Sequence, residues 1–151
     1  MSKRHARSTA AAIHKQVNGE RAMRDLPSLT GKGELAAAAE SYARVMANKR
    51  KMGHNVDGSS PTMRASGFAG VCENVAKIHG TNQSAHSIAG KAVGMWMSSG
   101  GHRQNILRKR SVYSGVGVWL SGGTAWICHL FASRRSVVGV VAEAATNVVP
   151  R

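Results

Sequence analysis

This chain has no run approaching the roughly 18 consecutive apolar residues of a membrane span. Behind the basic start Lys3-Arg4-His5-Ala6-Arg7, the stretch from Ser8 to Lys15 holds no continuous apolar segment, so no signal peptide is expected within it. Cysteine is scarce. Cys72 and Cys128 stand far apart with no CxxC spacing, which argues against a cysteine-type zinc site. They are read as either one disulfide or two buried thiols. There is no HExxH helix to fix two metal ligands on one face and no GxSxG elbow for a serine hydrolase. Aromatic residues make up 5% of the chain and fall mostly in apolar runs, which argues against a groove of base-stacking platforms and so against nucleic-acid recognition. Internal repeats are missing too.

Acids are also few. Seven Asp and Glu face 21 Lys and Arg, a formal net charge of +14. The basic residues cluster at Lys3-Arg4 with Arg7, at Lys49-Arg50-Lys51, at Arg108-Lys109-Arg110 and at Arg134-Arg135. Such a field draws polyanions. Its candidates are nucleic acid, anionic phospholipid and the phosphate polymers of a bacterial envelope, which charge alone does not rank, beside the plainer reading of a solvated basic face. With 151 residues the chain has room for one domain with a real core, spanning 1–151, and not for two typical ones. Residues 1–7 and 142–151 are expected to be weakly ordered tails.

Several elements are legible. Ala12, Ile13, Val17 and Met23 recur at helical intervals from Ser8, and Pro27 breaks the pattern. Gly31-Lys32-Gly33 opens a stronger, Ala-rich helix over about Glu34 to Met52, with Leu35, Ala39, Tyr42, Val45 and Met46 on one face and Gly53 as its stop. Pro61 to Gly70 reads as a short helix or turn, and Val71 to Ile78 as an extended segment. Ser84 caps a third helix reaching about Met97. Gly115 to Leu120 and Ala125 to Phe131 flank Ser121-Gly122-Gly123-Thr124, a hairpin by composition. Val137 to Val141 is a further candidate edge strand. Helices early and strands late predict an α+β domain with helices packed on an antiparallel sheet.

Three side chains stand out for chemistry. His54 at a helix end, Glu73 on a short strand and His102 in a turn are placed to line one pocket, and two imidazoles with a carboxylate suit Zn²⁺ or another divalent cation. The competing reading of Glu73 is structural: it orients a histidine or an arginine. Strand alternation puts Trp126, Cys128 and Leu130 on one face and Ile127, His129 and Phe131 on the other, so Cys128 and His129 cannot act as a nucleophile pair. His129 either borders the pocket or is a satisfied core histidine. His79 and His86 are expected at the surface.

The motifs Asn18-Gly19-Glu20-Arg21-Ala22, Leu26-Pro27-Ser28-Leu29, the helix through Ala43 to Ala47, His54, Arg64 with Gly67, Glu73-Asn74-Val75-Ala76, Trp96-Met97-Ser98-Ser99, Gly101 to Leu107, Gly115 to Val118 and Trp126 to Phe131 follow one another in an order and spacing that resembles the CAP superfamily. These are the cysteine-rich secretory, antigen 5 and pathogenesis-related 1 proteins, here in their short bacterial SCP-like form. The resemblance implies a three-layer α-β-α sandwich, export to the extracellular space, periplasm or cell envelope, and a central cleft of two His and two acids that can hold zinc. His54 and His102 match the two His and Glu73 the first acid. The second acid, normally between Glu73 and His102, is missing, and His129 stands where Gln is usual, offering a third imidazole to the cleft. Within the motifs, Asn74, Trp96, Arg103 and Asn105 are expected to hold structure. Together the resemblance and the charge imply an exported binding protein with a divalent metal in the cleft and a cationic face for anionic lipid or envelope polymer, with sterol or another lipid as a further ligand. The alternative is a metal-dependent, protease-like hydrolase using His54, His102 and Glu73; the missing acid tilts the reading away from an enzyme.

Overall fold

A computed structural model describes residues 3–136. Its first helix, α1 (Lys3–Ala22), buries Ala6, Thr9, Ile13, Val17 and Arg21, one residue per turn along a single stripe. This helix starts earlier than the sequence suggests, so residues 3–7 are not a tail. Ala6 is already packed in the core, and the turn around it is carried by that contact. The short β1 (Thr30–Gly31) leads into α2 (Gly33–Lys49), which buries Leu35, Ala39, Tyr42, Ala43, Met46 and Ala47. It stops before Gly53. Arg50 adopts the left-handed conformation (φ 50°), and Lys51 N–H donates to Met46 O while Arg50 N–H donates to Ala47 O, which closes the helix three residues early.

Two short elements, α3 (Pro61–Arg64) and β2 (Phe68–Ala69), precede the long β3 (Cys72–His79). Ser60 caps α3 by accepting from Met63 N–H, and Pro61 fills its first position. Then come α4 (Ala85–Met97), capped by Ser84 as expected, and α5 (Gly100–Ile106). The His102 segment is therefore a short helix rather than a turn. Last are β4 (Tyr113–Ser121), β5 (Thr124–Ala132) and β6 (Arg134–Arg135). The β4–β5 connection is the two-residue Gly122-Gly123 loop with φ of 57° and 76°, the positive pair that a tight hairpin needs and glycine supplies without strain. The predicted strand at Val137 to Val141 and the tail 142–151 lie outside the described residues.

The main sheet runs β1-β4-β5-β3. Its three long strands are antiparallel, as expected, and β1 adds a two-residue parallel rung on β4, making the sheet mixed. β2 and β6 form a separate antiparallel pair. One core lies between the sheet and α1 with α4, built on Ile13, Val17, Ile88, Trp96, Ile127 and Phe131; the other lies under α2, built on Leu35, Tyr42, Met46, Trp126, Cys128 and Leu130. Two helical layers around one sheet give the expected α-β-α sandwich.

Two glycines set how closely α2 approaches. A Cβ at Gly115 would collide with the Leu35–Ala36 backbone, and one at Gly117 with the Ala39–Glu40 backbone. Helix and strand therefore touch main chain to main chain. Register also decides the cysteines. Cys72 sits opposite Phe131 and Cys128 opposite Val75, so the two face different cores, and both are free thiols. The disulfide alternative is thereby excluded.

Candidate functional site

The site is built around the edge strand β3. Glu73 points to the α2 side, where its carboxylate is fully buried and fully engaged. Arg64, at the end of α3, donates from Nε to Oε2 (3.2 Å) and from Nη2 to both carboxylate oxygens (2.8 and 2.7 Å). His54 donates from Nδ1 to Oε1 at 2.8 Å, and the Cys128 thiol to Oε2 at 3.3 Å. The remaining Arg64 donors go to His54 O (2.7 Å) and to Ser59 O and Oγ (3.0 and 2.8 Å). Its guanidinium lies 3.4 Å over the Tyr42 ring, and the Tyr42 hydroxyl donates to Gly53 O and accepts from Val56 N–H. The loop carrying His54 is thus clamped from inside by Arg64 and Tyr42, while the imidazole itself is 45% exposed. Burial raises the Cys128 thiol well above its ordinary range and the neighbouring Glu73 charge adds to it, so this thiol stays protonated.

On the other face of β3, α4 and α5 are tied down by side chains. Asn74 donates to His102 O (3.1 Å) and accepts from Asn105 Nδ2 (2.9 Å), which also donates to Glu73 O. Trp96 Nε1 donates to Val75 O at 3.0 Å. His102 is held to Ser99 Oγ through Nδ1 (3.0 Å). Burial lowers its pKa, and the charge of His54 lowers it further. Glu73 fixes the His54 proton on Nδ1 and leaves Nε2 as an acceptor. His102 is in the same state when Nδ1 donates to Ser99.

What the site offers an ion is the Nε2 atoms of His54 and His102. That pair does not fit the expected three-ligand group. Glu73 is behind His54, with its oxygens occupied, and among the described residues no cluster of three or more His, Cys, Asp and Glu is placed to hold an ion. A profile of the cysteine-rich secretory protein family, CAP, matches residues 14–130. The chain belongs to the CAP family.

Solved CAP structures share the fold at low identity. An outer surface protein of Borrelia burgdorferi superposes with a TM-score of 0.73 at 18% identity, over 84% of this chain and 93% of that one. An extracellular SCP-domain protein of Bacillus anthracis gives 0.69 at 22%, over 85% of this chain and 41% of that one. The zinc-bound structure of NaASP2 gives 0.59 at 13%, over 88% and 81%. Among curated proteins, none matches the sequence.

One expected member of the CAP cleft lies elsewhere. His129 pairs across the sheet with Asn74, on the face opposite the Glu73 side chain, and is wholly buried. Its ring stacks on Phe131 (centroids 4.0 Å apart), and Ser114 Oγ lies 2.6 Å from Nε2. It is a core histidine and lines no cleft. Arg103, expected to hold structure, is exposed on α5. His79 and His86 are exposed as expected. Sequence reasoning missed Arg64 as the partner of Glu73, and Tyr42 as the post behind both. The available signal was arithmetic: Glu73 is the sole acid between Asp57 and Glu143, and Arg64 stands nine residues before it.

Proposed function

We propose that this CAP domain is an exported binding protein, with His54 and His102 taking a divalent cation such as zinc and the cationic surface engaging anionic lipid or cell-envelope polymer. The observation that carries the cation reading is the state of Glu73. A carboxylate that accepts from Arg64 and His54 at once orients an imidazole for a metal and is poorly placed to take a proton from water. That arrangement supports binding over the hydrolase alternative, which needs a free base. When bound, the cation would supply a Lewis-acidic point for an anionic group of a ligand. The protein's own residues present the two imidazoles, exclude Glu73 from the ion, and keep His102 neutral through burial.

Export is supported by the bacterial neighbours, whose names place them at the outer surface or outside the cell. Zinc is supported by the NaASP2 structure, which carries it. Calorimetric titration of Zn²⁺ tests the cleft. One site is expected in the wild type and none in His54→Ala/His102→Ala, and equal uptake by both refutes the assignment.

A further inference from the structure

We propose that the polyanion-binding face suggested above is one particular patch, where the C-terminal half of α2 meets the hairpin end of the sheet, and that its partner is a base-free phosphodiester polymer of the polyol-phosphate kind. This rests on the polyanion reading and adds its location and chemistry.

The patch arises from register. α2 runs alongside β4: Gly115 lies under Leu35–Ala36 and Gly117 under Ala39–Glu40, so the next turn brings Arg44 over Trp119. The Arg44 guanidinium lies 4.8 Å from that ring's centroid. Trp119 pairs with Trp126 on β5, which pairs with Lys77 on β3, and the Lys77 ammonium lies 5.4 Å from the Trp126 centroid. Neighbouring strands are about 4.8 Å apart, so the two indoles hold their cations side by side on one sheet face. Past Ala47 the same helix ends at Lys49, followed by Arg50 and Lys51, all exposed. The nearest acid on α2 is Glu40, which lines the groove beside Val116, Gly117 and Val118, at the β4 edge. From Ser41 to Val56 there is no acid, and the next, Asp57, lines a pocket with Ser41, Tyr42 and Val45, where its carboxylate accepts from Ser59.

The same geometry selects the partner. Trp126 is buried and Trp119 half-buried, each with a cation over its ring, so neither offers an open face to a nucleobase. The large apolar side chains exposed among the described residues are Met and Val, with no aromatic to anchor in a bilayer interface. Fixed cations without stacking or inserting groups fit a flexible chain of phosphates.

The test is binding of fluorescent poly(glycerol phosphate) to the whole chain, by anisotropy across a salt series, with EDTA present to keep the histidine cleft out of play. Arg44→Gln/Lys49→Gln/Lys51→Gln/Lys77→Gln is expected to weaken binding about 30-fold in low salt and to flatten the log–log salt slope by about 2 to 3, the loss of four phosphate contacts. A control with Lys3→Gln/Arg4→Gln/Lys109→Gln/Arg110→Gln removes the same charge and is expected to change affinity less than about threefold. Thermal melts confirm that both variants are folded, and an otherwise wild-type Arg44→Lys chain, which keeps the cation, is expected to bind as the wild type does. Equal losses in the two quadruple variants would overturn the patch while leaving charge-driven binding intact. Tighter patch-dependent binding of single-stranded DNA or phosphatidylglycerol vesicles would overturn the partner class. If the wild type binds no polyanion even in low salt, the broader reading falls as well.

Discussion

His129 makes the fold acid-sensitive in a way that can be worked out. Burial first, and the nearby His14 charge second, hold its pKa at about 3, against an ordinary value near 6.5. Its Nδ1 is buried with no hydrogen-bond partner, so nothing in the core rewards protonation. Above pH 6.5 the imidazole is neutral in both folded and unfolded chains, and its contribution to stability is fully present. As pH falls below 6.5 the unfolded chain takes up a proton that the folded chain refuses, and stability drops until about pH 3. The difference integrates to about 2.5–3 kcal/mol between pH 7.5 and 4.5, and to about 5 kcal/mol over the whole window. Urea melts followed by tryptophan fluorescence at those two pH values, for the wild type and His129→Gln, isolate the effect. Gln keeps a polar partner for Ser114 and does not titrate. His14 and His102, whose pKa values are also lowered by burial, contribute equally to both proteins. The wild type is expected to lose about 2.5–3 kcal/mol more than the variant. Parallel losses would show that the buried ring accepts a proton and refute the argument.

Two further substitutions probe the architecture around the site. Gly117→Ala forces a methyl into the Ala39–Glu40 backbone and is expected to cost about 3 kcal/mol in thermal melts, whereas Gly94→Ala, with open space around its Cβ position, is expected to gain about 1 kcal/mol in helix propensity. Arg64→Ala leaves the buried Glu73 carboxylate without its main partner and is expected to cost about 3–5 kcal/mol in denaturant melts, while Arg64→Lys recovers only part because an ammonium cannot grip both oxygens as a guanidinium does.

Periodicity made much of this fold readable. The α2 face, the Ser84 cap, the Gly122-Gly123 hairpin and the alternation along β5 are local patterns, and local geometry enforces them. The parts that escaped are made through space. Helix α1 begins at Lys3 because Ala6 finds the core, and no local signal announces that contact. Arg50, rather than Gly53, takes the left-handed position that ends α2. β1 is two residues recruited by a neighbouring strand. The cysteine question turned on register, since Cys72 and Cys128 lie on paired strands and their sequence positions do not say which core each faces. In the site, the motifs pointed to His54, Glu73 and His102 but not to the division of labour among them: Glu73 serves Arg64 and His54 from beneath, and His129 left the cleft because strand alternation turned it to the other face.

The contact between α2 and β4 bears on how firmly that division is kept. Wherever side chains interdigitate, ordering them costs rotamer entropy, and each retains some freedom to give way. At Gly115 and Gly117 there is no side chain to order; the touching atoms belong to backbones already fixed once helix and strand have formed. The spacing between these two layers is consequently stiff, with little thermal slack to pass on. Tyr42, one turn from Ala39 on the same helix, inherits that stiffness and stands as an unyielding post behind the otherwise exposed loop of His54.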